Sequence, residues 1–142
     1  LVVICVLKGT FMFCSDLIKK IELPVNLEFI QLSSYGDSMK SSGNVKIQLD
    51  ISESIENKNV LIVEDIIDTG LTMTTLLENL KQRGPKKVKL ASLLYKPSRN
   101  THKVNIDYLG FEIEDKFVIG YGLDYAGRYR EIPYVGVINA GD

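Results

Sequence analysis

The sequence predicts an α/β fold, a mostly parallel twisted sheet flanked by helices, and three features predict it. Residues 1–7 and 60–63 are continuous apolar runs, the mark of strands buried on both faces. A segment with apolar residues at helical spacing follows each run. Strand-like and helix-like stretches alternate along the chain, which implies parallel strands with helices on both faces.

The elements follow in order. Lys8-Gly9-Thr10 breaks the first apolar run. Phe13, Leu17, Ile18 and Ile21 then recur at helical spacing, with Lys19, Lys20 and Glu22 opposite, and Pro24 ends that helix. Val25, Leu27 and Phe29 alternate with Asn26 and Glu28, as in a strand. Residues 33–44 are rich in Ser and Gly and read as a flexible loop. Val45, Ile47, Leu49 and Ile51 alternate, so a strand leaves that loop. A loop of this length in a compact domain is usually a lid or disordered. The buried strand 60–63 breaks at residues 64–72. Met73, Leu76, Leu77 and Leu80 then mark a helix that stops before Gly84-Pro85. Residues 88–95 form another strand, 98–104 a polar loop, and 117–119 and 134–138 two short strands. No internal repeat or low-complexity tract is present.

Bulk composition narrows the function classes. The 142 residues are 45% apolar and 25% charged, ordinary for one globular domain. Formal net charge is −1, so no basic field draws in nucleic acid or a membrane surface. No apolar run reaches membrane-spanning length. Cys5 and Cys14 sit in apolar stretches and read as buried thiols, consistent with a reducing cytoplasm. No charged stretch precedes the apolar start, so no signal peptide is expected. The chain opens on an apolar strand without Met, and the expectation is a single domain lacking its N-terminal segment.

The strongest chemical signal is Val60-Leu-Ile-Val-Glu64-Asp65-Ile-Ile-Asp68-Thr69-Gly70-Leu71-Thr72. An apolar strand runs into a short loop and a helix opens there. Ligands of open α/β sheets bind outside the carboxyl ends of the strands. A helix N-terminus offers unpaired N–H groups and the positive end of its dipole. Thr69, Gly70 and Thr72 let the backbone wrap around a phosphate, and Thr72 adds a hydroxyl. Three carboxylates beside an anion call for a cation, and Mg²⁺ prefers oxygen ligands. Glu64 and Asp65 point opposite ways in an ideal strand, so both face one ligand only if the strand ends there. The bland alternative is that Asp68 or Thr69 caps the helix and the other acids are solvated. A cap needs one such residue, whereas five polar groups stand here.

This stretch resembles the phosphoribosyl pyrophosphate motif of type I phosphoribosyltransferases: two hydrophobics, two acids, two hydrophobics, then Asp-Thr-Gly-x-Thr. The rest of the chain is similar to the hypoxanthine-guanine branch of that family. Leu7-Lys8-Gly9 matches its first active-site loop. Ser33-Ser34-Tyr35-Gly36 with Ser41-Ser42-Gly43 matches its mobile loop. Lys96, Asp115-Lys116-Phe117-Val118 and Gly120-Tyr121-Gly122-Leu123-Asp124-Tyr125 match its base-binding segments, and Tyr129-Arg130 its closing segment.

The resemblance implies a type I phosphoribosyltransferase fold with a flexible loop and a small, here incomplete, hood. It implies Mg²⁺ as cofactor and phosphoribosyl pyrophosphate and a 6-oxopurine base as partners, in a cytoplasmic homodimer or homotetramer. Glu64 and Asp65 would hold the ribose hydroxyls, directly or through the metal. Residues 68–72, with Leu71 at the variable position, would cradle the 5′-phosphate. Asp68 would exchange a proton with purine N7, and Lys96 would reach the C6 oxygen. Phe117 would stack on the base, and Val118 would meet its edge. Asp124 would bind a second Mg²⁺ carrying pyrophosphate, which Lys8, Gly9 and Arg130 would contact. Ser34 and Tyr35 would close over the site. In that family the Lys8–Gly9 peptide can be cis. Thr10 departs from the family, which often has Gly there.

Each of these residues has a plainer reading. Lys96 would be a solvated strand end, Phe117 core packing, Asp124 a turn residue and Arg130 a surface charge. His102 reads as solvated, and Lys86, Lys87 and Lys89 as a solvated strand edge. Three rival functions stand beside the transferase. One is a regulator of nucleic-acid binding on the same fold, which the near-neutral charge disfavours. Another is a transferase for adenine, which lacks the C6 oxygen that Lys96 would meet. The third is an unrelated Mg²⁺ phosphohydrolase, which needs no base platform.

Overall fold

A computed structural model describes residues 1–34 and 45–139. Five parallel strands form the body of the sheet: β1 (Val2–Leu7), β2 (Asn26–Ser34), β4 (Asn59–Ile67), β5 (Lys87–Tyr95) and β6 (Tyr108–Glu112). A sixth, β3 (Val45–Leu49), joins β2 antiparallel at the edge. The order is β3-β2-β1-β4-β5-β6, so the chain winds outward one way from β1 and the other way from β4. A separate two-stranded sheet pairs β7 (Val118–Ile119) with β8 (Gly136–Val137) antiparallel.

Alternation along β1 builds two cores. Val2, Ile4 and Val6 pack with Ile62 and with Met73, Leu76 and Leu80 of helix α2 (Leu71–Lys81). Val3 and Cys5 point the other way, with Val63, onto Cys14 of helix α1 (Phe11–Ile18). Each helix therefore covers one face of the sheet, as the alternating pattern predicts. Both cysteines are free and buried. Among the described residues, no helix is long and apolar enough to cross a membrane.

Four local features differ from the sequence reading. Strand β4 does not stop at Val63 but continues to Ile67, because β5 keeps pairing with it through Ile66↔Leu94 and Ile67↔Tyr95. Ser33 and Ser34 belong to β2 rather than to the loop, since they pair with Lys46 and Val45. Strand β6 was not anticipated: every residue in it is exposed, so it lacks the in/out alternation that marks a strand. The cis peptide lies at Leu7–Lys8, one bond before the expected Lys8–Gly9. The rest of the expected loop, residues 35–44 with Tyr35, lies outside the described residues, as does the side chain of Ser34.

Candidate active site

The site arises where β1 and β4 part. Their pairing ends at Cys5↔Val63, while β4 runs on beside β5 alone. A crevice opens at the carboxyl ends of the two strands, where the winding direction reverses, as ligand sites of open α/β sheets do. It holds a cavity of about 390 Å³.

Eleven of the residues singled out in the sequence meet in this cavity. Lys8 and Gly9 enter from the end of β1, and Glu64, Asp65, Asp68 and Thr72 from β4 and the loop beyond it. Lys96 follows β5, and Phe117, Val118, Asp124 and Arg130 come from the small sheet and its turns. Thr69 and Gly70 line an adjoining cavity of about 190 Å³ that shares Glu64, Asp68 and Thr72. Leu71 lines neither cavity.

Glu64 and Asp65 face the crevice although the strand does not end at them. Each carboxylate curls back onto the next amide: Asp65 N donates to Glu64 Oε1 (3.0 Å) and Ile66 N to Asp65 Oδ1 (2.6 Å). Burial and the neighbouring charge of Asp65 push Glu64 well above the ordinary carboxylate range. Burial also raises Asp65, against hydrogen bonds and the positive charge of Arg130. The fully buried Thr10 donates its hydroxyl to Glu64 Oε1 (3.2 Å). The side chain that departs from the family pattern thus orients a carboxylate.

The loop before α2 makes a tight turn at Gly70. Gly70 precedes α2 with φ 89°, a left-handed conformation that suits glycine, and a Cβ there would overlap His102 O. The first-turn amides of α2 lie where a helix leaves its N–H groups without intrahelical partners. Leu71 N donates to Thr69 Oγ1 (3.3 Å).

Lys96 and Phe117 depart from their plainer readings in opposite directions. Lys96 is not a solvated strand end but 7% exposed, with Nζ 3.7 Å from Asp115 Oδ1. Phe117 is not core but 51% exposed on the cavity wall, braced edge-on by Tyr125 with ring centroids 5.5 Å apart. A flat ring beside a buried ammonium suits a planar ligand with a carbonyl oxygen.

Asp124 and Arg130 sit in a turn held by its own polar groups. Gly127 N donates to Asp124 Oδ2 (2.9 Å), and Arg130 Nη2 lies 3.5 Å from Asp124 Oδ1. Arg130 Nη1 also donates to Gly122 O (2.6 Å), which keeps the guanidinium over the cavity. Arg128 is exposed and takes no part. The Tyr121 hydroxyl donates to Asp16 and ties this turn to helix α1; burial and that bond push the phenol up to about 12.

Sequence reasoning passed over three residues near the site. Thr10 was visible only as a departure, Asp115 only as part of a motif, and Arg99 not at all. Arg99 Nε donates to Asp68 Oδ1 at 2.9 Å. His102 is exposed, as its sequence context indicates.

The comparisons with known proteins agree with this geometry. A family model described as the phosphoribosyl transferase domain matches residues 1–126. A hypoxanthine-guanine phosphoribosyltransferase of Bacillus subtilis is 50% identical over 133 residues, 94% of this chain and 74% of that protein. The chain belongs to the hypoxanthine-guanine phosphoribosyltransferase family. A hypoxanthine phosphoribosyltransferase of Buchnera aphidicola is 47% identical over 138 residues, 97% of this chain and 78% of that protein. The crystal structure of a hypoxanthine phosphoribosyltransferase from Staphylococcus aureus superposes with a TM-score of 0.93 at 43% identity, covering 97% of this chain and 75% of that one. The mixed, mostly parallel sheet is the type I phosphoribosyltransferase fold.

The acids of this phosphoribosyltransferase fit a magnesium ion shared with substrate. No group of three or more His, Cys, Asp or Glu able to hold a metal occurs among the described residues. Mg²⁺ is commonly held by one or two carboxylates together with waters and substrate oxygens. The adjacent Glu64 and Asp65, half-buried with raised pKa values, are a donor set that a divalent cation would relieve.

Proposed function

We propose that this enzyme of purine salvage transfers the phosphoribosyl group from phosphoribosyl pyrophosphate to hypoxanthine or guanine, giving IMP or GMP and pyrophosphate, in a magnesium-dependent reaction. One observation carries the reading. The crevice and its adjoining cavity together hold a helix start, a pair of half-buried acids, an exposed aromatic ring and a buried lysine. A 5′-phosphate matches the helix start, a ribose the acids, and a 6-oxopurine the ring and the lysine.

The residues divide the work accordingly. Backbone amides of residues 69–72, with the Thr69 and Thr72 hydroxyls, grip the 5′-phosphate. Glu64 and Asp65 hold the ribose hydroxyls and one Mg²⁺, and Asp124 a second; the metal supplies positive charge for the pyrophosphate. Phe117 stacks on the base, Val118 meets its edge through backbone groups, and Lys96 donates to the C6 oxygen. Asp68 takes the proton from N7 while N9 attacks ribose C1. The sugar passes through an oxocarbenium-like state, as in glycoside cleavage. Lys8, the Gly9 amide and Arg130 face the leaving pyrophosphate and act most strongly as its charge grows. Ser34 and Tyr35 complete the enclosure that excludes water.

We read the 142 residues as one catalytic domain of a cytoplasmic protein. A homodimer or homotetramer is supported by the exposed apolar side chains Leu27, Phe29 and Leu49 near the β2–β3 edge. The deciding experiment is nucleotide formation with phosphoribosyl pyrophosphate, Mg²⁺ and a panel of hypoxanthine, guanine, xanthine and adenine. The 6-oxopurines should be turned over and adenine should not. Preferential use of adenine, or release of phosphate without nucleotide, would overturn the proposal.

A further inference from the structure

Two charged residues have no role above: Arg99, just after β5, and Asp115, just after β6. The segment after β5 opens on a short 3₁₀ helix, Pro97–Arg99, and the residues beyond it are fastened to the phosphate loop. Thr69 O accepts from Thr101 N (3.0 Å), His102 N (2.9 Å) and Asn100 Nδ2 (3.3 Å). Residues 97–102 and the loop at Thr69 are therefore one body.

From that body a row of alternating charges runs to Asp115, beyond β6. Arg99 Nε donates to Asp68 Oδ1 at 2.9 Å, and Arg99 Nη1 lies 3.8 Å from Asp115 Oδ2. Asp115 Oδ1 lies in turn 3.7 Å from Lys96 Nζ. Lys96 is buried, and a buried ammonium needs a countercharge; Asp115 is its ion-pair partner among the described residues. Neither Arg99 nor Asp115 lines the cavity, so both reach a bound ligand only through Asp68 and Lys96. The Arg99 and Asp115 side chains are about half exposed, and such pairs contribute little stability, so their use is geometric.

We propose that Arg99 is a positioning residue for base recognition. It fixes the Asp68 carboxylate and, through Asp115, the Lys96 ammonium at the spacing required by two neighbouring purine atoms, N7 and the C6 oxygen. This rests on the roles proposed above for Asp68 and Lys96. Without Arg99 the proton acceptor and the oxygen donor move independently, and the enzyme loses its grip on the base while keeping its grip on the phosphoribosyl donor.

Steady-state kinetics with both substrates varied test this in Arg99→Ala, Arg99→Lys and Asp115→Asn, beside Asp68→Asn and Lys96→Ala. Arg99→Ala should raise the KM for hypoxanthine about 10-fold and lower kcat, with the KM for phosphoribosyl pyrophosphate held within roughly two-fold. Arg99→Lys keeps the charge but not the fork and should recover part of the loss. Asp115→Asn should narrow the preference for hypoxanthine over adenine. Equal damage to both substrates, no damage, or Arg99→Lys no better than Arg99→Ala would overturn the proposal. If Arg99→Ala does not fold, an unchanged base preference in Asp115→Asn overturns it instead. If Asp68→Asn and Lys96→Ala leave the base constants untouched, their own roles fail and the inference falls with them. If those two act on the base and Arg99→Ala does not, the inference alone fails.

Discussion

Gly9 lies so close to Asp65 that a Cβ on the glycine would overlap Asp65 Oδ2. The loop after β1 and the acid of β4 are thus packed backbone against carboxylate.

Gly9→Ala follows from that packing. The methyl group has to displace either the loop or the acid, and misplacement by about 1 Å can cost about 10²-fold in rate. The expected result is a loss of about that size in kcat/KM for phosphoribosyl pyrophosphate, with circular dichroism and Tm near the wild type. Wild-type kinetics would mean that Asp65 moves aside without consequence.

Asp68→Asn separates proton transfer from binding. The amide keeps the size of the side chain but cannot take a proton, so kcat should fall about 10²–10⁴-fold. The KM for phosphoribosyl pyrophosphate should change much less, because the proposed grip on the phosphate is made by backbone amides. Parallel loss of both would remove Asp68 from the proton-transfer role.

Lys96→Met keeps the volume of a buried side chain and removes its donor. The preference for hypoxanthine over adenine should shrink by about 10-fold or more, the scale set by losing one charged hydrogen bond. An unchanged preference would take Lys96 out of base recognition.

Glu64→Gln should raise stability while lowering activity. Glu64 has a folded-state pKa above its unfolded value, so it takes up a proton on folding. Such a group stabilises fully below its unfolded pKa and loses that contribution as pH rises through the folded one. In chelator the wild type therefore bears a growing cost as pH rises through the folded value. The glutamine variant should melt about 2–4 °C higher, the shift that about 1 kcal/mol makes in a chain of this size, with a flatter Tm from pH 6 to 8. Asp50 and Glu28, whose pKa values are lowered by Arg83 and by Ser52 and Glu53 hydrogen bonds, matter only at lower pH. A lower Tm at pH 8 would show that the acid is stabilising as it stands.

What could be read from the sequence was what lies together in it. Residues 60–72 hold the acids and the phosphate loop in one string, and the apolar runs marked the inner strands. Thr10 escaped because its partner Glu64 is 54 residues away, and Arg99 because Asp68 is 31 away. The extension of β4 past Val63 was hidden by its own acids. Hydrogen bonding to β5 keeps it a strand, and hydropathy does not record hydrogen bonding. Strand β6 was hidden by exposure on both faces. The environments of Lys96 and Phe117 depend on the small sheet, which local pattern does not locate.

The reversal of winding between β1 and β4 also governs assembly. One wall of the crevice is made by the first strand and the other by a strand some fifty residues later, with α1, β2 and β3 laid down between them. A nascent chain cannot acquire the chemistry piecemeal. A polypeptide divided between β3 and β4 would carry Lys8 and Gly9 on one piece and the acids on the other, so restored turnover would report directly that the two pieces had found each other.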